Sequence, residues 1–195
     1  MQTEIEVKFC NVDIDDLRAK LTAAGATLEQ PMRLMRRVAI DSDFMRTGKD
    51  SFLRVRDEGD RVTMTYKQFD ELSLVGAKEI EVVVEDFERT VEILAQAGLP
   101  SHTYQETRRE TWHLGNVEIM IDEWPWLEPY VEIESTTEQA VKDTAAQLGF
   151  DWSEAVFGDV MAAYRKQYPH LGLKDTVATL AEVKFDMPLP EMLKG

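Results

Sequence analysis

A chain of 195 residues with 44% hydrophobic side chains is long enough for a sizeable core, which excludes a wholly disordered protein. A formal charge of −15 argues against nonspecific binding to nucleic acid or to an anionic membrane, though a local basic cluster can still take a small anion. One cysteine, Cys10, leaves no internal disulfide, no apolar run reaches membrane-spanning length, and no signal-peptide stretch opens the chain; a cytoplasmic enzyme or binding protein is expected.

The first strand, Thr3 to Phe9, alternates. Glu4, Glu6 and Lys8 point one way, and Ile5, Val7 and Phe9 the other. Asp13 then caps a helix with Ile14, Leu17 and Leu21 at helical spacing, stopped by Gly25. Residues 34–41 read as a second strand, with Val38 and Ile40 on one face and Arg37, Ala39 and Asp41 on the other. Thr47 to Asp50 is turn chemistry. A hairpin follows: Phe52 to Arg56 sets Arg54 and Arg56 opposite Leu53 and Val55, Glu58-Gly59-Asp60 turns, and Val62 to Lys67 puts Thr63, Thr65 and Lys67 on the polar side. After a loop at 68–77, Lys78 to Val84 repeats the opening pattern with Glu79 and Glu81.

Asp86 caps a second amphipathic helix (Phe87, Val91, Leu94) that ends at Gly98-Leu99-Pro100. A long strand runs from His102 to Leu114, and if Trp112 faces the covering layer, Arg109 faces the other way. Gly115-Asn116 turns the chain into Val117 to Asp122, with Asp122 on the polar side. A Trp124 to Pro129 loop precedes the last strand, Tyr130 to Glu134, a third Glu-x-Glu. Helices are expected at 137–148 and 153–168, the latter carrying Val156, Val160 and Tyr164. This sets a domain at 1–168 and a C-terminal appendage at 169–195 with one short helix at 176–183.

About eight strands, each with one apolar and one charged face, fit a closed antiparallel barrel. The two amphipathic helices need an apolar surface to sit on, and the strands' apolar faces are the large one on offer. The charged rows therefore line the inside. Glu4, Glu6, Glu79, Glu81, Asp122, Glu132 and Glu134 then face Lys8, Arg54, Arg56, Lys67 and Arg109 in one interior. Burying an unpaired carboxylate costs on the order of several kcal/mol, so the surplus acid asks for a divalent cation. The guanidinium and ammonium donors ask for phosphate, and oxygen ligands favour Mg²⁺ or Mn²⁺.

The ordered set Glu4 to Lys8, Leu53 to Arg56, Thr65 to Lys67, Glu79 to Glu81, Arg108 to Trp112, Ile121-Asp122 and Val131 to Glu134 resembles the CYTH superfamily, the triphosphate tunnel metalloenzymes, over residues 4 to about 168. The resemblance implies an α+β fold: an eight-stranded antiparallel β-barrel, the triphosphate tunnel, with helices packed on the outside. It implies Glu4, Glu6, Glu132 and Glu134 as ligands of Mg²⁺ or Mn²⁺, and Lys8, Arg54, Arg56, Lys67 and Arg109 as the phosphate cradle. Glu79, Glu81 and Asp122 take supporting places, and Lys67, Glu6 and Glu134 are the catalytic candidates. Arg109 is preferred over Arg108 on strand parity. Arg37 to Asp41 and the tail depart from the family pattern without touching the charged set. His102, His113 and His170 lack metal-ligand spacing, Cys10 has no expected chemistry, and Trp124 and Trp126 are read as packing their turn.

The expected activity is a metal-dependent triphosphatase, an Mg/Mn-dependent phosphoric anhydride hydrolase. A metal-bound water would attack the terminal phosphorus of inorganic tripolyphosphate, or of thiamine or nucleoside triphosphate. The alternatives are a class IV adenylyl cyclase making cyclic AMP and pyrophosphate, and a non-catalytic polyphosphate-binding module. The expected partner is the small-molecule triphosphate, with no nucleic acid or membrane, in a monomer or homodimer.

Overall fold

Two faces of one curled sheet account for the alternating pattern. The computed structural model describes residues 2–48, 51–68 and 75–195, with side chains for 5–47, 51–68 and 78–195. The Glu4 side chain, part of the turn at 47–50 and most of the loop at 68–77 lie outside the described residues. The strands are β1 (Gln2–Cys10), β2 (Thr27–Ile40), β3 (Ser51–Asp57), β4 (Val62–Gln68), β5 (Val75–Val84), β6 (Thr103–Leu114), β7 (Val117–Trp124), β8 (Leu127–Ser135) and β9 (Glu182–Val183). The helices are α1 (Ile14–Ala24), α2 (Asp43–Gly48), α3 (Phe87–Gln96), α4 (Glu138–Gln147) and α5 (Val160–Gln167).

The sheet order is β2-β3-β4-β5-β1-β8-β7-β6-β9, and β2 also pairs with β6. That last pairing closes β1–β8 into an antiparallel ring. β9 joins from outside the ring, parallel to β6 through Tyr104–Glu182 and Gln105–Val183. Within the ring β2 lies four strands from β1 in either direction, so the two stand across the bore from each other. This is the expected α+β barrel with helices on its outer face.

The outer face is apolar, as the helices require. Val7, Phe9, Ile119, Ile121, Val131 and Ile133 pack with Leu17 and Leu21 of α1 and with Val141 and Ala145 of α4. Phe87 of α3 covers Val38, Ile40 and Val55. The caps are where the sequence places them: the Asp13 carboxylate accepts from the Asp15 and Asp16 amides, Asp86 accepts from Arg89 N–H, and Gly25 ends α1 at φ 82. Glu110 also faces outward, 3% exposed, accepting from Trp112 Nε1 at 2.7 Å and from Arg18. It serves the fold rather than the bore. Glu110→Ala should cost roughly 2–4 kcal/mol in denaturant unfolding, because Arg18 and the indole N–H lose their acceptor together.

Several elements differ from expectation. α2 stands at Asp43–Gly48 where no helix was expected, and β7 and β8 take up all of the expected Trp124 to Pro129 loop except Pro125 and Trp126. β2 begins at Thr27 rather than at 34; Pro31, which has no N–H to give the ladder, falls where the register with β6 slips between Gln30 and Arg33, and this hides the alternation. The helix expected at 153–168 is split. A 3₁₀ turn (Trp152–Glu154) leads to a bridge in which Val156 and Lys8 exchange both backbone hydrogen bonds at 2.9 Å, and Gly158 at φ 103 resets the chain before α5. Residues 176–183 form a 3₁₀ turn (Val177–Thr179) and β9 instead of one helix. The segment after α5 packs Leu171, Val177, Val183 and Leu193 against Trp124, Met161 and Tyr164. No helix among the described residues is long and apolar enough to cross a membrane.

Candidate active site

The inner face of the ring encloses a cavity of about 460 Å³. Every sequence-predicted site residue with a described side chain lines it: Glu6, Lys8, Arg54, Arg56, Lys67, Glu79, Glu81, Arg109, Asp122, Glu132 and Glu134. The period of two delivers them there, one inward side chain every second residue of a strand. Arg108, by contrast, pairs with Glu123 on the outside, so the parity choice of Arg109 stands.

Most of these charges neutralise one another. Lys8 Nζ donates to Glu6 Oε1 at 2.8 Å, Glu132 Oε1 at 3.2 Å and the Gly158 carbonyl at 2.8 Å, which uses all three of its N–H bonds. Burial works against its charge, but Glu132 and Glu6 outweigh it and hold the ammonium above its ordinary pKa. Arg109 grips Asp122 in a fork, Nε to Oδ1 and Nη2 to Oδ2 both at 2.7 Å, and reaches Glu132 at 3.2 Å. Those two carboxylates likewise overcome burial and raise its pKa. Lys67 is ion-paired with Glu79, and Arg56 with Glu58 at 2.7 Å. Arg54 is 7% exposed and poorly served: it donates to Thr65 Oγ1 at 3.3 Å, lies 3.8 Å from Glu81, and its Nε is buried without a partner.

What is left over sorts by sign. On one wall Glu6 and Glu118 both stand directly opposite Glu134, which places three carboxylates in one row across β1, β8 and β7. Like charges in direct register repel at Cβ separations of about 5 Å. Among the described residues Glu134 and Glu118 have no cationic partner. Burial, then Glu132, Glu6 and Glu118, pushes the Glu134 carboxyl up to about 8, and burial followed by Glu132 pushes Glu6 up to about 7. On the far wall Arg37 of β2 is in direct register with Arg56 of β3.

Among the described residues no three acidic, histidine or cysteine side chains already converge as a formed metal site. The chemistry of the acid wall nonetheless suits a hard divalent cation: it offers oxygen donors only, in excess, and holds protons where a cation can replace them. Glu6, Glu132 and Glu134 are the residues placed to hold one.

A stability prediction follows for the metal-free protein. Unfolded, Glu6 and Glu134 release their protons near the ordinary value of 4.5; folded, they keep them to about 7 and 8. Between those limits the folded state binds more protons, so stability falls as pH rises. Glu132, held well below its ordinary value by Lys8 and Arg109 against burial, is ionised throughout this window and adds no slope. In EDTA the melting temperature should drop between about pH 5 and pH 8.5, by the equivalent of a few kcal/mol, and excess Mg²⁺ should restore it chiefly at the upper end. A flat profile in EDTA would remove the carboxylate repulsion from the account.

The structure adds residues that sequence reading left aside. Glu58, read as turn, is a buried carboxylate shared by Arg56 and Arg61. Glu118 shares the parity of Asp122, which was the available signal. Arg37 and Asp41 belong to the cavity lining, so the expectation that the departure in strand two leaves the charged set untouched is corrected. Thr176, Val177 and Ala178 contribute to one side of the lining. His102 lies in the lining 3.8 Å from Asp41, whereas His113 and His170 bond outside it. The Trp126 N–H is given to the Met187 carbonyl, and Trp124 packs beneath Arg37.

A closed antiparallel barrel with a charged interior and helices outside is a tunnel fold, and the comparisons agree with it. The model of the CYTH domain matches residues 2–154, and the chain belongs to the CYTH family. Its members are typically enzymes, triphosphatases or cyclases, and the family is metal-dependent. Among solved structures the chain resembles a Pyrococcus horikoshii OT3 protein (TM-score 0.64, 24% identity, 78% of this chain and 93% of that one). It also resembles a putative adenylate cyclase from Vibrio parahaemolyticus (TM-score 0.69, 13% identity, 79% and 92%). A third is a putative adenylyl cyclase from Hippeastrum described as having a dominant triphosphatase activity (TM-score 0.52, 14% identity, 77% and 89%). No curated protein matches the chain closely.

Proposed function

We propose that this protein is a metal-dependent triphosphatase whose first substrate is inorganic tripolyphosphate, with thiamine and nucleoside triphosphates as the other members of the class. The observation that carries this reading is the separation of unneutralised charge across one bore: Glu134 and Glu118, with the Lys8-paired Glu6 in the same row, on one wall, and Arg37, in register with the Glu58-paired Arg56, on the other. A divalent cation on the first wall and a phosphate chain against the second cancel both excesses.

Arg54, Arg56, Lys67 and Arg109 hold the phosphates and offset the charge that builds on their oxygens during transfer. Arg109 is kept in place for this by its fork on Asp122, Lys67 by Glu79 and Arg56 by Glu58. Lys8 joins the cradle only by giving up one of its three present bonds, to Glu6, Glu132 or the Gly158 carbonyl. Glu6, Glu132 and Glu134 would hold Mg²⁺ or Mn²⁺, with Glu4 the further ligand that the family resemblance implies, and the bound cation would supply Lewis acidity toward phosphate oxygens and acidify water. Water is the acceptor: one bond forms from its oxygen to the terminal phosphorus, the bridging P–O bond breaks, and orthophosphate and pyrophosphate leave.

Two aromatic side chains of the lining offer no stacking face to a base, since Trp124 is already covered by the Arg37 guanidinium and Tyr130 is buried. The test is incubation of purified protein with tripolyphosphate, thiamine triphosphate or ATP, each with Mg²⁺ or Mn²⁺. Orthophosphate release supports the triphosphatase. Cyclic AMP with pyrophosphate from ATP indicates the cyclase, and binding without product the polyphosphate-binding module.

A further inference from the structure

Arg37 is the ionisable residue of the bore whose surroundings make least sense in the empty protein. It sits on the inner face of β2, in register with Arg56 on one side and Gln105 on the other. Its Nε donates to Gln105 Oε1 at 2.8 Å, and its Cζ lies 4.3 Å from the centroid of the Trp124 ring. The guanidinium is thus held over the indole and tied at Nε by the amide. Both terminal nitrogens are left without a hydrogen bond among the described residues, in a side chain that lines the cavity.

Each other cation predicted for the bore has a carboxylate: Lys8 has Glu6 and Glu132, Arg56 has Glu58, Lys67 has Glu79, Arg109 has Asp122, and Arg54 has Glu81 at longer range. Arg37 has none among the described residues. Burial, then the Arg56 and Arg109 guanidinium groups, lowers its pKa to about 10; burial and Arg56 lower that of Arg54 to about 9. A side chain kept only for packing on Trp124 is better as methionine or leucine, since a half-buried cation beside like charges and without a carboxylate gains nothing for the fold. An arginine that is held over an indole, tied at Nε and left with its terminal edge open is arranged for a bidentate oxyanion.

We propose that Arg37 is a further phosphate-binding residue of this bore, taking a phosphoryl group of the substrate on its open Nη1/Nη2 edge beside Arg54 and Arg56, with Trp124 and Gln105 as its positioning residues. The proposal rests on the triphosphate reading for the identity of the anion, and on the register and hydrogen bonds of Arg37 for the site.

The test separates the two. Inorganic tripolyphosphate is titrated calorimetrically into the wild type, Arg37→Met and Arg37→Lys in EDTA, where no turnover takes place, and melting temperatures are taken with and without the anion. Arg37→Met should bind roughly 10- to 100-fold more weakly, the loss of one charge-assisted bidentate contact. Without anion it should melt no lower than the wild type, because the residue removed is repelled there. Arg37→Lys should recover only part of the affinity, since an ammonium neither stacks on Trp124 nor offers two parallel bonds. Wild-type affinity in Arg37→Met overturns the proposal, as does a lower anion-free melting temperature with the tripolyphosphate-induced rise intact, the signature of a packing role. Failure of the wild type to bind tripolyphosphate overturns it as well. Binding lost in Arg37→Met by a protein that releases no orphosphate with any metal upholds the site and refutes the triphosphatase; orthophosphate release with unchanged Arg37→Met binding does the reverse.

Discussion

Replacing Glu134 by glutamine is expected to lower metal-dependent orthophosphate release by at least about 100-fold while leaving the metal-free fold as stable as before or more so. The two halves come from one fact. Glu134 stands between Glu6 and Glu118 in the same row and has no cationic partner among the described residues, so the fold gains nothing from its charge. Glutamine keeps the shape and removes the repulsion. The same change takes away an anionic oxygen on the wall placed to hold a divalent cation. Turnover at saturating Mg²⁺, with the melting temperature in EDTA beside it, reads both. Activity within a few-fold of the wild type would detach the acid row from catalysis, and a large fall in the EDTA melting temperature would show that the row is structural.

Arg109→Met is expected to have the opposite signature, losing stability and activity together. Asp122 is 1% exposed and depends on the Arg109 fork for its neutralisation. Removing one partner of a buried pair costs about 3–5 kcal/mol, because the other charge stays behind unpaired. Denaturant unfolding should show that loss. The double change Arg109→Met/Asp122→Asn should return most of it, since both charges are then gone. Orthophosphate release should stay about 100-fold or more below the wild type in both, as the Arg109 positive charge that offsets charge on the phosphates is missing from both. If the double variant regains activity along with stability, Arg109 serves the barrel and not the substrate.

The parity of each strand was legible in the sequence because a strand has one period and its two faces want different solvents. Glu6 and Lys8, Arg54 and Arg56, and Glu132 and Glu134 could all be sent inward from their apolar neighbours alone, since the capped helix after Asp13 needed Ile5, Val7 and Phe9 outside. Arg37 has the same parity as Ala39 and Asp41 and was legible on that ground. A motif comparison hides it, because Arg37 to Asp41 depart from the family pattern in strand two. Pro31 concealed the first half of β2 for a related reason: the slipped register breaks the alternation that reveals a strand, while pairing with β6 keeps the strand in being. Gly158 concealed the division before α5, where bonds from a distant strand, through Lys8, outweigh local helical preference.

By itself, then, the order of residues determined which side chains face the bore, where the helices are capped, and that both signs of charge meet inside, since these depend on periods of two and of 3.6 and on solvation. Only the tertiary structure decided which of those charges stand beside each other. The hydrogen-bonded register between strands far apart in the chain sets Glu6, Glu134 and Glu118 in one row and Arg37 against Arg56, and no local preference encodes a register. Long-range pairing also decided that the tail after α5 returns to β6 as β9 and lends Thr176 to Ala178 to the cavity, because its few apolar residues find cover only against Trp124, Met161 and Tyr164.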